Sequence, residues 1–236
     1  MEKNIELSVV IPCRNEEKNI TRALKLTGKY LLEKNIPGEI IVVDDGSDDA
    51  TSEIAEKKAE SISNPVKVIK LGKNFGKGAA VRKGVLASSG NPVLFTDADF
   101  STDISELENF LPVIKSGAAD IVIASRSLPE SVLVPPQSFV RRAIGTLCRF
   151  LVSVLSVKGY KDTQCGFKLF SRKAALAIFS RLKTDGFAFD VETLVLAEKL
   201  GFSVKEMPVR WKNSSDSRVR PVKDSFSFFL QLLRGF

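Results

Sequence analysis

The stretch Val93–Asp103, VLFTDADFSTD, sets an apolar, strand-forming run directly against two carboxylates, Asp97 and Asp99. If the segment stays extended, residues two apart point to the same side, so both carboxylates face one ligand. Working back along the chain, EIIVVDDGS (Glu39–Ser47) repeats the pattern: a buried-strand run ends in Asp44 and Asp45. LSVVIP (Leu7–Pro12), VKVIKL (Val66–Leu71) and ADIVIASR (Ala119–Arg126) read as further strands. Between them the periodicity predicts helices near Glu16–Leu32, Gly76–Ser88 and Ile104–Ser116, with Ser47 or Asp48 capping one more helix after the second strand. Strand and helix in alternation predict an α/β fold with a mainly parallel sheet flanked by helices. In such sheets ligands bind beyond the carboxyl ends of the strands, where both acidic clusters fall.

The 236 residues suit a single domain, with a nucleotide-binding half over 1–126 and an acceptor-binding, membrane-interface half over 127–236. The second half is less regular. Leu128–Ser138 reads as a proline-broken loop. Phe139–Val157 and Asp224–Phe236 each place a narrow polar stripe, with arginine in it, on a wide apolar face. Such segments serve equally as core helices or as amphipathic helices lying in a membrane interface.

The chain has no histidine, which excludes Ser-His-Asp and Cys-His catalysis and histidine metal sites. A metal would need oxygen ligands, favouring Mg²⁺, Mn²⁺ or Ca²⁺. Cys13, Cys148 and Cys165 are odd in number and widely spaced, as expected of reduced thiols in the cytoplasm. A net charge of +7 suits anionic partners, but no sequence of the common nucleic-acid modules is present, so no nucleic-acid partner is expected. The N-terminal apolar run is far too short for a signal peptide, and no uninterrupted apolar run approaches the length of a spanning helix.

Paired aspartates after a buried strand suit a divalent cation that clamps a diphosphate and eases its departure. NFGKGAAVRKG (Asn74–Gly84) adds glycines and basic residues at a helix start, which favours anions, although it is not a Walker A sequence.

Taken together, SVVIPCRNEEKNI, IIVVDDGSDDAT, NFGKGAAVRKG and FTDADFS resemble, in order and spacing, the motifs of inverting family 2 glycosyltransferases with the GT-A (Rossmann-like) fold. DTQCGFKLFSRKAA (Asp162–Ala175) and GFAFDVETLVLAEKLG (Gly186–Gly201) resemble the dolichyl-phosphate β-glucosyltransferases and, less closely, the dolichyl-phosphate mannose synthases. The resemblance implies that Pro12, Arg14, Glu16, Asp44, Lys77 and Asp97 bind the nucleotide. Asp99 becomes the main ligand of Mn²⁺ or Mg²⁺, with Asp97 beside it. Ser101 stands where the mannose synthases often carry a glutamine ligand, which favours a glucosyl-type enzyme. Arg126, with Arg141 or Arg142, would meet the acceptor phosphate, and Arg218 and Arg220 the donor diphosphate. Asp190 and Glu192 fall where relatives with sugar acceptors keep a catalytic base. A lipid phosphate is already ionised and needs no base, so Asp190 would serve a positioning role.

The implied reaction is inverting transfer of glucose from UDP-glucose to a polyprenyl (dolichyl-type) phosphate by a peripheral protein on the cytoplasmic face of a membrane. The alternatives are GDP-mannose as donor, or a soluble transferase with a sugar-hydroxyl acceptor. A catalytically silent nucleotide- or lipid-binding module is the remaining possibility.

Overall fold

The computed structural model describes residues 5–134 and 159–212. Seven strands form one sheet in the order β3-β2-β1-β4-β7-β5-β8. They are β1 (Leu7–Cys13), β2 (Gly38–Asp44), β3 (Val66–Lys70), β4 (Val93–Thr96), β5 (Ile121–Ser125), β7 (Phe167–Phe170) and β8 (Val204–Pro208). All pairings are parallel except those of β7, which runs antiparallel to β4 and β5. The expected mainly parallel α/β sheet is therefore present.

The strands read as unbroken apolar runs because both faces of the sheet are covered. Val9, Ile11, Ile40, Val42 and Leu94 pack into one core layer. Their alternates Val10, Ile41, Val43, Val93 and Phe95 pack into the other. The first layer lies under α1 (Ile20–Glu33) and α4 (Leu107–Lys115); the second lies under α3 (Lys77–Leu86), α5 (Arg172–Phe179) and α6 (Phe189–Lys199). A short α2 (Thr51–Ala59) follows β2, and a 3-10 turn at Ile104–Glu106 precedes α4.

Chain order moves from β1 outward to β2 and β3, then returns to β4 on the other side of β1. The reversal opens a crevice at the carboxyl ends of β1 and β4, which is where an open α/β sheet binds its ligand. Pro12 sits in β1 without breaking a ladder, because it lies beyond Val10, the last β1 residue that β4 pairs.

Three local expectations need correction. α1 begins at Ile20 rather than near Glu16, since Asn15 takes a left-handed conformation (φ 55°) and the following residues form a loop. Neither Ser47 nor Asp48 caps α2; Ala50 is its N-cap, and the Asp49 carboxylate just before it accepts the Thr51 N–H at 3.0 Å. The supposed loop around Leu128–Ser138 contains a strand, β6 (Val132–Val134), which pairs in parallel with β9 (Arg210–Lys212). Its β-branched valines suit that pairing. The two amphipathic stretches, Phe139–Val157 and Asp224–Phe236, lie outside the described residues. Cys13 and Cys165 are free and buried.

Phe110 of α4 meets Phe167 of β7 edge to face, with ring centroids 5.4 Å apart. Both are fully buried, and the contact braces the antiparallel strand from one side. Phe110→Ala is expected to lower stability by about 3–5 kcal/mol, read from the midpoint of urea unfolding.

Candidate active site

The loops after β1 and β2 are laced together by side chains accepting or donating across the gap. Ser47 Oγ accepts the Asn15 N–H at 2.9 Å, and Thr51 Oγ1 accepts the Glu16 N–H at 2.7 Å. Asn15 Oδ1 accepts the Asp48 N–H at 2.8 Å. Asp44 is buried and anchors this lacing: it accepts the Ser47 N–H at 3.0 Å and the hydroxyls of Ser47 and Ser52. Its neighbour Asp45 accepts the N–H groups of Phe75 and Gly76, at 2.8 and 2.9 Å. Burial pushes the Asp45 carboxyl up, against the pull of those two donors. Asp45 thereby fixes the loop that leads into α3. Of the expected nucleotide residues, Arg14 is exposed, its guanidinium 3.6 Å from Asp48. Glu16 accepts from the Asn19 amide at 2.6 Å, and the Pro12 ring is buried in β1.

The two aspartates after β4 do not lie on an extended segment. Asp97–Phe100 is a turn, closed by the Phe100 N–H on the Asp97 carbonyl at 3.1 Å, with Phe100 left-handed at φ 50°. The turn is fixed from the residue before β7: the Gly166 carbonyl accepts the Asp97 N–H at 3.1 Å. A Cβ on Gly166 would lie 1.9 Å from Asp97 Oδ2, so glycine is required for the carboxylate to sit there. The other Asp97 oxygen, Oδ1, lies 2.6 Å from the Nζ of Lys77, the first residue of α3. Asp99 accepts from the N–H and the hydroxyl of Ser101, both at 2.9 Å. Ser101 thus orients the carboxylate it follows. Burial, and next the negative charge of Asp97, push the Asp99 carboxyl up.

Beneath the turn lies a second charged pair. Lys168 of β7 is fully buried and hydrogen-bonded to Asp190 in the first turn of α6, itself 3% exposed. Lys168 also donates to the Cys165 carbonyl at 3.1 Å and stands 5.2 Å from the centre of the Phe95 ring. Burial raises the Asp190 carboxyl even though Lys168 and then Lys77 oppose the rise. Glu192, the other acid of that helix turn, accepts the N–H groups of Lys183 and Thr184 at 2.9 and 2.7 Å and is 1% exposed. It organises the loop before α6 and is closed to substrate.

Arg126, just past β5, presents its fork to Asp162. Nε lies 2.6 Å from Oδ2 and Nη2 lies 2.9 Å from Oδ1, while the Arg126 N–H adds a 3.0 Å bond. Such bidentate pairing fixes the plane of the guanidinium. Burial alone would favour loss of the Arg126 proton, but Asp162 outweighs it and holds the group cationic. The same interaction overcomes burial at Asp162 and keeps that carboxyl below the usual range. Trp211 of β9 lies 5.8 Å from the guanidinium. Glu206 in turn accepts the Asp162 N–H at 2.7 Å. Arg141, Arg142, Arg218 and Arg220 lie outside the described residues.

The structure therefore brings Lys77, Asp97, Asp99 and Asp190 into one charged cluster at the crevice, and sets Arg126 on its own buried counter-ion. Sequence reasoning missed Lys168 and Asp162. A lysine inside the apolar run FKLF (Phe167–Phe170) was the available signal for the first, since a charge in a buried strand needs a partner. Asp162 carried no comparable signal.

In cation chemistry, Asp97 and Asp99 supply two hard oxygen donors on one turn. Among the described residues no group of three or more His, Cys, Asp or Glu side chains converges on a point. Two carboxylates, with the remaining positions left to water and substrate phosphate, is the donor set that Mg²⁺ and Mn²⁺ accept at nucleotide sites. The cluster sets three carboxylates (Asp97, Asp99, Asp190) against two ammonium groups (Lys77, Lys168), and among the described residues its two ion pairs fall on Asp97 and Asp190. The residues fit such a cation.

Residues 8–179 match the family described as glycosyl transferase family 2. The chain is similar to the dolichyl-phosphate beta-glucosyltransferase of Dictyostelium discoideum, 39% identical over 98% of this chain and 74% of that protein. The human protein of the same name is 40% identical, over 92% and 70%. The Saccharomyces cerevisiae one is 34% identical, over 98% and 74%. Among solved structures, glucosyl-3-phosphoglycerate synthase of M. tuberculosis, in complex with Mn²⁺, UDP-glucose and phosphoglyceric acid, superposes with a TM-score of 0.70. It is 19% identical, over 97% of this chain and 77% of that one. Mannosyl-3-phosphoglycerate synthase of Rubrobacter xylanophilus gives 0.71 at 20% identity, over 98% and 73%. At that identity the likeness is one of fold.

Asp162 gains its stabilising charge interaction only when ionised. Because its folded value is depressed, that contribution is present at neutral pH and fades as pH falls through the depressed value. Asp162→Ala is expected to cost about 3 kcal/mol at pH 7. The gap to the unsubstituted protein should narrow below the ordinary aspartate range. Denaturant unfolding at pH 7 and pH 3 measures both.

Proposed function

The chain belongs to glycosyl transferase family 2 and has the GT-A fold, and on that footing we propose that it transfers glucose from UDP-glucose to a polyprenyl phosphate of the dolichyl class. The observation that carries the proposal is the 34–40% identity, over nearly the whole chain, to proteins named dolichyl-phosphate beta-glucosyltransferase. The site geometry agrees with it: an acidic turn at the switch point and an arginine fixed nearby suit two phosphate-bearing substrates.

In this reading the nucleotide lies across the carboxyl ends of β1 and β2, beside Pro12, Arg14, Glu16 and Asp44, and its diphosphate reaches Asp97 and Asp99. A divalent cation held by Asp99 and Asp97 supplies the positive charge that lets UDP depart. Ser101 keeps the Asp99 oxygens aimed. Lys77 adds a mobile positive charge at the same point, and Arg126, held flat by Asp162, faces the acceptor phosphate. Arg141, Arg218 and Arg220 are assigned to phosphate contacts on either side of the sugar. The acceptor oxygen is already anionic, so no group has to remove a proton from it. Asp190 accordingly acts as a positioning residue, holding the buried Lys168 that underlies the turn, and its burial bars it from working as a base. Attack from the face opposite the leaving UDP inverts the anomeric carbon. Catalysis then consists of alignment and charge stabilisation.

Among the described residues no helix is long and apolar enough to cross a membrane. We assign membrane contact to the amphipathic stretches Phe139–Val157 and Asp224–Phe236, which would hold the protein peripherally on the cytoplasmic face.

The test is purified protein with polyprenyl phosphate, Mn²⁺ or Mg²⁺ and a panel of radiolabelled sugar nucleotides. Glucose incorporation into lipid from UDP-glucose, lost on chelation, is the expected result. Exclusive incorporation from GDP-mannose, or transfer to a water-soluble hydroxyl acceptor without lipid, would overturn the assignment. Asp99→Ala is expected to lower turnover by roughly 10²-fold or more while leaving the unfolding midpoint little changed.

A further inference from the structure

Lys77 occupies an unusual position in the site. It opens α3, and its ammonium lies 2.6 Å from Asp97 Oδ1 and 5.9 Å from the centre of the Phe95 ring. The other Asp97 oxygen is set against Gly166, where even a methyl group has no room. The Asp97 oxygen on the side away from Gly166 is thus already engaged by an internal cation. Asp99, two residues on, takes its bonds from Ser101, both neutral donors.

A divalent cation and an ammonium cannot share one carboxylate oxygen without mutual repulsion. Lysine can leave, because its charge rides on a flexible four-carbon stem, but it needs another anion to go to. A nucleoside diphosphate brings one. We infer that Lys77 is a resident counter-cation of the Asp97–Asp99 turn: in the free protein it holds the oxygen that a divalent cation needs, so the cation binds poorly alone and tightly together with a nucleoside diphosphate. Lys77 then passes from Asp97 to the phosphate oxygens. The inference rests on the reading that Asp97 and Asp99 hold the cation, and it adds an order of events to that reading: cation and nucleotide load together. The coupling is reciprocal, so Mn²⁺ strengthens UDP binding by the same factor that UDP strengthens Mn²⁺ binding.

The test is titration of Mn²⁺ into the purified protein with and without UDP, following free Mn²⁺ by electron paramagnetic resonance. The unsubstituted protein is expected to bind Mn²⁺ more tightly with UDP than without it. Lys77→Gln should tighten Mn²⁺ binding in the absence of nucleotide by about tenfold or more and shrink the UDP effect. Lys77→Arg, which keeps the charge, should preserve the unsubstituted pattern. Equal Mn²⁺ affinity with and without UDP in the unsubstituted protein would overturn the inference whatever the variants do. So would a Lys77→Gln protein, folded by circular dichroism, that binds Mn²⁺ no better than its parent. A control separates this failure from failure of the underlying reading: with UDP present, Asp99→Asn should abolish Mn²⁺ binding. If it does not, the cation is held elsewhere, and both the assignment and the inference fall.

Discussion

The ion pair between Lys168 and Asp190 is the constraint on which the rest of the site depends. An ammonium buried in a strand and a carboxylate buried at a helix start are each costly to take out of water, and together they are tolerated only with close geometry and further hydrogen bonds. The Cys165 carbonyl and the face of Phe95 complete that requirement for Lys168. The pair ties β7 to α6 across the second core layer. Because Gly166 stands two residues before Lys168, the same tie sets the height at which Gly166 receives the Asp97 N–H. A shift of β7 by one residue would turn Lys168 to the opposite face of the sheet and strand two charges. Register of the strand and placement of the acidic turn are therefore one and the same choice.

Above that floor the charges form a graded series. Asp190 is matched by a buried lysine, Asp97 by the lysine that opens α3, and Asp99 by two neutral donors. Negative charge is least compensated at Asp99. A site arranged this way attracts cations without collapsing on itself, because the deeper carboxylates are already neutralised. On the far side, Arg126 shows the complementary arrangement: a cation whose own counter-ion, Asp162, is buried behind it.

Much of this was legible in the sequence, for physical reasons. Buried parallel strands must be apolar on both faces, so Leu7–Pro12, Glu39–Asp44 and Val93–Thr96 declared themselves, and the acidic clusters at their ends marked the rim. What escaped notice depended on tertiary contact. The turn at Asp97–Phe100 exists because Gly166 and Ser101 bond to it, so an extended reading of the pair had the right residues in the wrong backbone. Ser47 looked like a helix cap, yet its hydroxyl accepts from the Asn15 N–H and donates to Asp44, and it is Asp49 that accepts the Thr51 N–H at the start of α2. β6 was hidden by the prolines that follow it, since its partner β9 lies far along the chain. Lys168 and Asp162 were invisible as partners because each pairs with a residue at least 22 positions away.

The reversed direction of β7 has an evolutionary consequence. A parallel strand such as β5 ends at the rim, and an antiparallel one begins there, so the segment between Ser125 and Phe167 departs from and rejoins the sheet at a single edge. Its length and content can change without disturbing the strand order of the seven-stranded sheet. Descendants of one ancestor can therefore vary that excursion while inheriting the rest of the sheet intact.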